Sequence, residues 1–259
     1  MKKCIKAMDN TTQSSILFRL MQDVGLGTDT EICQYMYLGH LISLLEKKKY
    51  YVKRKKEFPD MREKEIPHRF LFTEFTIPNG KLSAEQVDRS KRKSESIHNF
   101  EKVSSALLTS CWTERITENI LMWERGKDED KPRVCIKSCI GDFVKAFEAM
   151  DFTIWCGKML YEPFYPVLMS DDIIWYKEPY FSDEREIRFY FSKDFDRVAP
   201  DDGIDNHIDL PVDIQTLIHE IILSPDAPKQ DKENVLRLIE PYNITVTSSK
   251  IETNQIDNQ

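Results

Sequence analysis

Apolar and polar residues alternate most clearly at residues 185–191, and this pattern predicts a β-strand. One face of the strand would carry Arg185, Ile187, Phe189 and Phe191. The other face would carry Glu184, Glu186, Arg188 and Tyr190. A face of this composition suits the wall of an enzyme cleft with Glu186 at its centre, or an ordinary solvated strand face. Alternation alone leaves both interpretations open.

The rest of the chain mixes short helices and strands without a regular repeat. Strands are predicted at residues 32–37, 50–55, 69–77, 106–112, 133–137, 152–159, 173–176, 219–223 and 244–247. Helices are predicted at residues 14–24, 39–47, 83–100, 118–124, 141–150, 212–217 and 231–240, and an acidic loop at 193–209. Because the strands do not alternate with long helices, we expect an α+β fold with a mostly antiparallel sheet core and flanking helices.

The length of 259 residues suits one large domain with appendages. We expect a helical N-terminal extension over residues 1–30, a single domain over 31–251 and a flexible tail over 252–259. Residues 66–100 are highly charged around one polar helix and are predicted to be a helical insertion in that domain.

Composition restricts the class of protein. The chain is 41% hydrophobic and 31% charged, with a formal net charge of -7, which indicates a soluble protein with enough apolar residues for a core. It has no apolar run near the roughly 20 residues of a membrane span. The N-terminal lysines precede no apolar segment, so we expect no secretory signal, a cytosolic location and six reduced cysteines.

The potential metal ligands are not spaced as in known metal motifs. Cys135 and Cys139 are four residues apart, with no second close pair and no histidine nearby in sequence. The five histidines show no metal-ligand spacing either, and His219 lies in an apolar segment typical of a core histidine. The sequence therefore predicts no metal site, and no Ser-His-Asp or Cys-His triad can be assembled from it.

Residues 47–56 form the most unusual stretch of the chain, with seven basic residues, no acidic residue and two tyrosines. The lysines of this basic segment are Lys47, Lys48, Lys49, Lys53, Lys55 and Lys56. Basic side chains interleaved with aromatic rings suit single-stranded nucleic acid, where phosphates pair and bases stack. A solvated helix end followed by a lysine-rich edge strand would have the same composition.

Five segments, in order, resemble the bacterial domain-of-unknown-function family twenty-nine seventy-one. They are Tyr35-Met36-Tyr37 with the following helix and Asp60, Cys111-Trp112-Thr113-Glu114, Asn119-Ile120-Leu121-Met122-Trp123, the residues 181–188, and the residues 218–225. The resemblance covers residues 33–251. The chain departs from the family at Pro59-Asp60-Met61, where the family has Asn-Asp-Pro, and after Trp123, where a common tyrosine is missing.

This resemblance implies an ADP-ribosyltransferase-like fold and a defence or toxin role, with NAD⁺ as co-substrate. Glu186 matches the glutamate that would bind the ribose and stabilise positive charge in the transition state, and Glu184 would face the acceptor. The residues implied to contact NAD⁺ are Tyr35, Tyr37, Arg54 and Thr113. Each also has an ordinary structural interpretation, as a core tyrosine, a solvated arginine or a helix N-cap.

The sequence-based hypothesis is transfer of ADP-ribose from NAD⁺ to a nucleic acid, RNA in preference to DNA. A toxin of this kind implies an antitoxin or chaperone partner, and no metal. One alternative is NAD⁺ hydrolysis, with water in place of the acceptor. Another is a non-enzymatic nucleic-acid-binding module on the same fold.

Overall fold

A computed structural model of the chain describes residues 18–20, 26–58, 107–124, 131–150, 152–161, 175, 177–192, 206–225 and 227–251. The strands are β1 (Phe18–Leu20), β2 (Glu31–Tyr37), β3 (Lys49–Arg54), β4 (Leu108–Thr113), β5 (Arg133–Cys139), β6 (Thr153–Lys158), β7 (Glu186–Ser192), β8 (His207–Pro211), β9 (Glu220–Leu223) and β10 (Thr245–Ser248). The α-helices are α1 (Leu38–Lys47), α2 (Ile120–Glu124), α3 (Ile140–Lys145), α4 (Ile214–Leu217) and α5 (Lys229–Ile239). Two 3₁₀ helices cover Lys55–Glu57 and Pro179–Glu184.

The ten strands in the described residues form one sheet in the order β1-β6-β7-β4-β2-β5-β9-β10. Strand β3 pairs with β4 and β8 beside this path. The pairs β1–β6 and β9–β10 are parallel, and the other seven pairs are antiparallel. The expected α+β class with a mostly antiparallel sheet is confirmed.

Strand β4 is the junction that positions the candidate site. It pairs with β7 along its whole length on one side. On its other side it meets β3 at Leu108 and Thr109, and β2 at Thr113. Cys33 pairs with Thr113, which pairs with Glu186, so these three residues form one row on one face of the sheet.

The main core lies on the opposite face, under the helices. Helix α1 contributes Leu38, Leu41, Leu44 and Leu45, whose spacing places them on one side of a helix. Strand β7 contributes Ile187, Phe189 and Phe191, and the ring of Phe143 from α3 lies 3.9 Å from that of Phe189. A second, smaller cluster on the other face contains Leu107, Met159, Trp175 and Tyr190.

Most predicted elements within the described residues form, with ends that differ by at most five residues from the predicted ones. Two expectations are wrong. Residues 18–20, expected in a helix, form β1 because Phe18–Leu20 pairs with Ile154–Cys156 of β6. Residues 207–209, expected in an acidic loop, begin β8 because they pair with β3.

The predicted insertion at 66–100, the tail at 252–259, Asp60 and most of the strand expected at 173–176 lie outside the described residues. The same holds for residues 1–17 and 21–25 of the predicted N-terminal extension. The division into these regions stays a prediction. Across the part of the chain that the structure describes, none of the helices is long and apolar enough to cross a membrane.

Candidate active site

Strand β7 is buried on both faces. Ile187, Phe189 and Phe191 belong to the main core, as alternation predicted. On the other face, the side chains of Glu186 and Arg188 are only 4% and 1% exposed. The interpretation of this face as a solvated charge ladder is therefore wrong for Glu186 and Arg188, because the second cluster of apolar residues continues over this face.

Two cations hold the carboxylate of Glu186. Arg188 donates from Nε to Oε1, and from Nη2 to Oε2 over 3.1 Å. Lys177 donates from Nζ to Oε2 over 2.8 Å. The backbone N–H of Glu186 donates to the hydroxyl of Tyr161 over 2.9 Å. Charge-assisted hydrogen bonds of this kind fix the orientation of a carboxylate.

These cations also determine the charge of Glu186. Burial by itself raises the pKa of this carboxyl, but the nearby charges of Arg188 and Lys177 act in the opposite direction. Hydrogen bonds from Arg188 and Cys111 add to their effect. The resulting pKa of Glu186 lies well below its ordinary value, so the side chain is a carboxylate at neutral pH.

Glu184 shares the lysine with Glu186. Lys177 donates from Nζ to Oε2 of Glu184 over 2.6 Å, and the same ammonium lies 4.4 Å from the ring centroid of Phe181. Glu184 does not reach this position by strand alternation, because it ends the 3₁₀ helix Pro179–Glu184 and Arg185 follows with φ 43°. The two carboxylates nevertheless converge on one cation.

Thr113 braces the turn before Glu186. Its hydroxyl donates to the carbonyl of Glu184 over 2.6 Å and accepts the N–H of Arg115 over 3.0 Å. Thr113 therefore lies beside Glu186 in the sheet, and it holds the backbone of Glu184 in position. The side chain of Asn119 accepts from the N–H of Leu121 at the start of α2, the position that the helix N-cap interpretation gave to Thr113.

Tyr35 and Tyr37 lie on the same face of the sheet as Glu186, since both follow Cys33 at intervals of two residues. The ring of Tyr35 packs edge-on against Trp123 with centroids 4.9 Å apart. Burial raises the pKa of the Tyr35 hydroxyl, and the backbone of Asn119 acts in the opposite direction. The Tyr37 ring lies 5.7 Å from the ammonium of Lys131 and 5.8 Å from the guanidinium carbon of Arg133.

Positively charged side chains lie on the same face as Glu186, between this residue and β3. The guanidinium carbon of Arg188 lies 5.9 Å from the ring centroid of Phe58, and the ammonium of Lys53 lies 4.9 Å from the same ring. Burial lowers the pKa of nearby His40, and the charge of Lys53 lowers it further. This side of the sheet therefore carries positive charge next to the glutamates.

The structure divides the basic segment. Arg54 and Lys55 are buried, and Arg54 points to the side of β3 opposite Lys53. The exposed lysines are Lys47, Lys48, Lys49 and Lys56, and Lys53 is half-buried. Sequence reasoning treated these residues as one patch, but strand alternation and the 3₁₀ helix that follows separate them.

Sequence reasoning missed Lys177 and Tyr161, which contact the Glu-x-Glu segment directly. A single lysine in the segment Tyr176-Lys177-Glu178 carries no pattern that could reveal its role. His219 was also misjudged. It is 44% exposed instead of lying in the core, and its Nε2 lies 2.9 Å from Oδ2 of Asp142.

No known family model matches the chain, and no curated protein matches it. Membership of family twenty-nine seventy-one therefore stays a prediction.

Solved structures of DarT from Thermus sp. 2.9 are similar to the chain at low identity. The complex with NAD⁺ is 12% identical, and the match covers 87% of this chain and 98% of that chain with a TM-score of 0.38. The complex with ADP-ribosylated ssDNA is 13% identical. The match covers 87% of this chain and 96% of that chain, with the same TM-score of 0.38. The complex with carba-NAD⁺ is 12% identical. The match covers 86% of this chain and 97% of that chain, also with a TM-score of 0.38. Similarity at this level assigns neither an activity nor an acceptor to this chain.

Proposed function

We propose that this chain is an NAD⁺-dependent ADP-ribosyltransferase that modifies a nucleic acid. The observation that carries the proposal is the convergence of two carboxylates, Glu184 and Glu186, on the single ammonium of Lys177 in a buried site. The proposal also draws on the resemblance of the Glu-x-Glu segment to a transferase motif. Fold alone would not support it.

Transfer of ADP-ribose breaks the bond between nicotinamide and ribose. Nicotinamide leaves with the electron pair of that bond, and positive charge develops on the ribose. The Lys177 ammonium occupies the place between Glu184 and Glu186 where a cation is stabilised. We infer that the ribose enters at this place and displaces Lys177. Glu186 then binds the ribose, and Glu184 takes the proton of the attacking acceptor.

The cations beside the glutamates suit the pyrophosphate of NAD⁺. Arg188 and Lys53 both lie near the Phe58 ring, on the same face as Glu186. We assign the pyrophosphate to these two residues in preference to Arg54, which is buried on the other side of β3. Tyr35 and Tyr37 remain the candidates for the nucleoside parts, since they line the neighbouring strand on the same face.

The exposed lysines of the basic segment suit a polyanionic acceptor. Lys47, Lys48 and Lys49 lie at the end of α1 and the start of β3, and all three are exposed. Phosphates of a nucleic acid would pair with them. RNA in preference to DNA, and an antitoxin or chaperone that silences the enzyme, are parts of this proposal that follow from the resemblance to a toxin family.

One feature favours a second candidate, a nucleic-acid-binding module without activity. The two carboxylates face two cations, Lys177 and Arg188, so the four charges cancel in a buried cluster. Clusters of this kind also serve purely structural roles. The basic segment would then account for the whole function.

Incubation of the protein with NAD⁺ labelled in its adenylate part tests the proposal. RNA, single-stranded DNA and cell lysate are offered in separate reactions, and label transfer and nicotinamide release are both measured. Transfer to RNA or DNA supports the proposal and identifies the acceptor. Nicotinamide release without transfer identifies a glycohydrolase. If no reaction gives either product, the enzyme proposal fails.

The variant Glu184→Gln separates the two enzymatic outcomes. If Glu184 takes the acceptor proton, the variant loses transfer but still releases nicotinamide. An equal loss of both would place Glu184 in the bond-breaking step instead.

A further inference from the structure

Three side chains of metal-binding type converge where β5 ends. The carboxylate oxygen Oδ2 of Asp142 lies 3.2 Å from Sγ of Cys139 and 2.9 Å from Nε2 of His219. All three ligand atoms lie within 4.8 Å of one another. His219 lies 77 residues from Asp142 in sequence, which is why spacing alone predicted no metal site.

The backbone fixes all three positions. Cys139 precedes α3, and its sulfur accepts the N–H of Asp142 over 3.4 Å. On the other side, the N–H of His219 donates to the carbonyl of Lys137 over 2.9 Å. Because Lys137 and Cys139 belong to β5, this bond ties His219 to the strand that ends at the thiol. The cluster is therefore held by the sheet and by the first turn of a helix.

The arrangement does not suit nucleophilic catalysis. A thiol nucleophile needs the imidazole between the sulfur and the carboxylate, so that the ring removes the thiol proton. Here the carboxylate of Asp142 lies between Cys139 and His219, and it contacts both. Three different ligand atoms around one point are instead what a metal ion requires.

We propose that Cys139, Asp142 and His219 bind one divalent transition-metal ion, zinc by preference. Sulfur, nitrogen and oxygen ligands together suit zinc, which takes about four ligands in a tetrahedral arrangement. Water fills the fourth position, because Asp142 and His219 are partly exposed at 39% and 44%. The thiol proton passes to solvent when the ion binds.

The ion would link two parts of the chain that are distant in sequence. It joins the β5–α3 junction to the segment between α4 and β9, and so holds the first turn of α3 to the adjoining sheet. The proposal does not depend on the proposed function.

Titration of the metal-free full-length protein with cobalt(II) tests the site, because cobalt(II) substitutes for zinc and gives a thiolate-to-metal absorption band. We expect the band to saturate at about one equivalent and to disappear when zinc is added. Cys139→Ser should abolish the band, and His219→Ala should weaken cobalt binding by at least about tenfold, in line with the loss of a metal-site contact. His207→Ala and Cys111→Ser, which alter a histidine and a cysteine elsewhere, should leave the titration unchanged.

Two results would overturn the proposal. One is the absence of a thiolate band in the wild-type protein. The other is a band that survives Cys139→Ser, since the sulfur ligand would then come from a different cysteine. If Cys139→Ser fails to fold, the titration of His219→Ala decides, because His219 is at the surface and its side chain contributes no core packing.

Discussion

Lys177 and Glu186 form a buried ion pair, with Nζ 2.8 Å from Oε2 and side chains only 5% and 4% exposed. The same ammonium binds Glu184 at 2.6 Å. This lysine joins the 3₁₀ helix before β7 to the strand itself, and it keeps both glutamates turned towards one point. The predictions about the site follow from this relationship.

Replacement of Lys177 by Met should destabilise the protein at pH 7 but weaken the dependence of its stability on acid pH. The depressed pKa of Glu186 contributes stability above the ordinary carboxyl pKa of about 4.3, and this contribution is lost as pH falls through the folded value. Without Lys177 the folded pKa rises towards the ordinary one, because burial then opposes ionisation with one cation fewer. Urea unfolding from pH 7 to pH 3 should therefore show a smaller loss of stability below about pH 4.3 in the variant than in wild type.

Lys177→Arg is the matched control for that series. Arginine keeps the positive charge, so the acid sensitivity of the Lys177→Arg protein should stay closer to that of wild type than the acid sensitivity of Lys177→Met does. Identical pH curves for wild type and Lys177→Met would show that Arg188 alone sets the ionisation of Glu186.

Glu186→Gln should destabilise the folded protein by about 3–5 kcal/mol, because it leaves the buried guanidinium of Arg188 without its carboxylate. Chemical unfolding at pH 7 measures this loss. Glu57→Gln, an exposed change of the same kind, should cost less than about 0.5 kcal/mol. A small effect of Glu186→Gln would contradict the buried ion cluster.

Gly157 makes room for Trp175 over the site. It pairs with Arg188 across β6 and β7, and a Cβ at this position would lie 2.8 Å from two carbons of the Trp175 ring. Gly157→Ala should cost about 1–3 kcal/mol through overpacking, measured by urea unfolding. Gly39→Ala is the control, since a Cβ there meets nothing within 4 Å and alanine suits the helix α1. A Gly157→Ala variant as stable as wild type would mean that Trp175 moves away without cost.

The exposed lysines should determine the salt dependence of nucleic-acid binding. Changing Lys47, Lys48 and Lys49 together to Gln should reduce the slope of log affinity against log salt by roughly 2, about 0.7 for each lost phosphate contact on a single strand. The control changes three other exposed lysines, Lys229, Lys232 and Lys250. Equal effects of the two triple variants would indicate a general charge effect without a defined binding surface.

The order of elements and the core could be predicted from the sequence because both follow from local patterns. Alternation in β7 placed Ile187 and Phe189 in the core, and the leucine spacing identified the buried side of α1. The site could be predicted only in part. Glu184 and Glu186 converge as expected, but their partner Lys177 comes from irregular backbone that carries no periodic signal.

Contacts between distant segments explain the other differences between the sequence predictions and the structure. Residues 18–20 form a strand because β6 offers a free edge, which a local helix pattern cannot reveal. His219 meets Asp142 because the register of β5 and β9 brings their segments together. The side chains of Arg54 and Lys53 point to opposite faces of the sheet because the two residues are adjacent in β3. Such relationships depend on tertiary structure, so composition could not determine them.

The most direct test of the proposed function compares wild type, Glu186→Gln and Glu57→Gln for nicotinamide release and label transfer from NAD⁺. The assay is run at a temperature at which circular dichroism shows all three proteins folded. The proposal predicts activity in wild type and Glu57→Gln, and a loss of at least about 100-fold in Glu186→Gln, the effect of removing one group that stabilises transition-state charge. Undiminished activity in folded Glu186→Gln, or none in wild type, would contradict it.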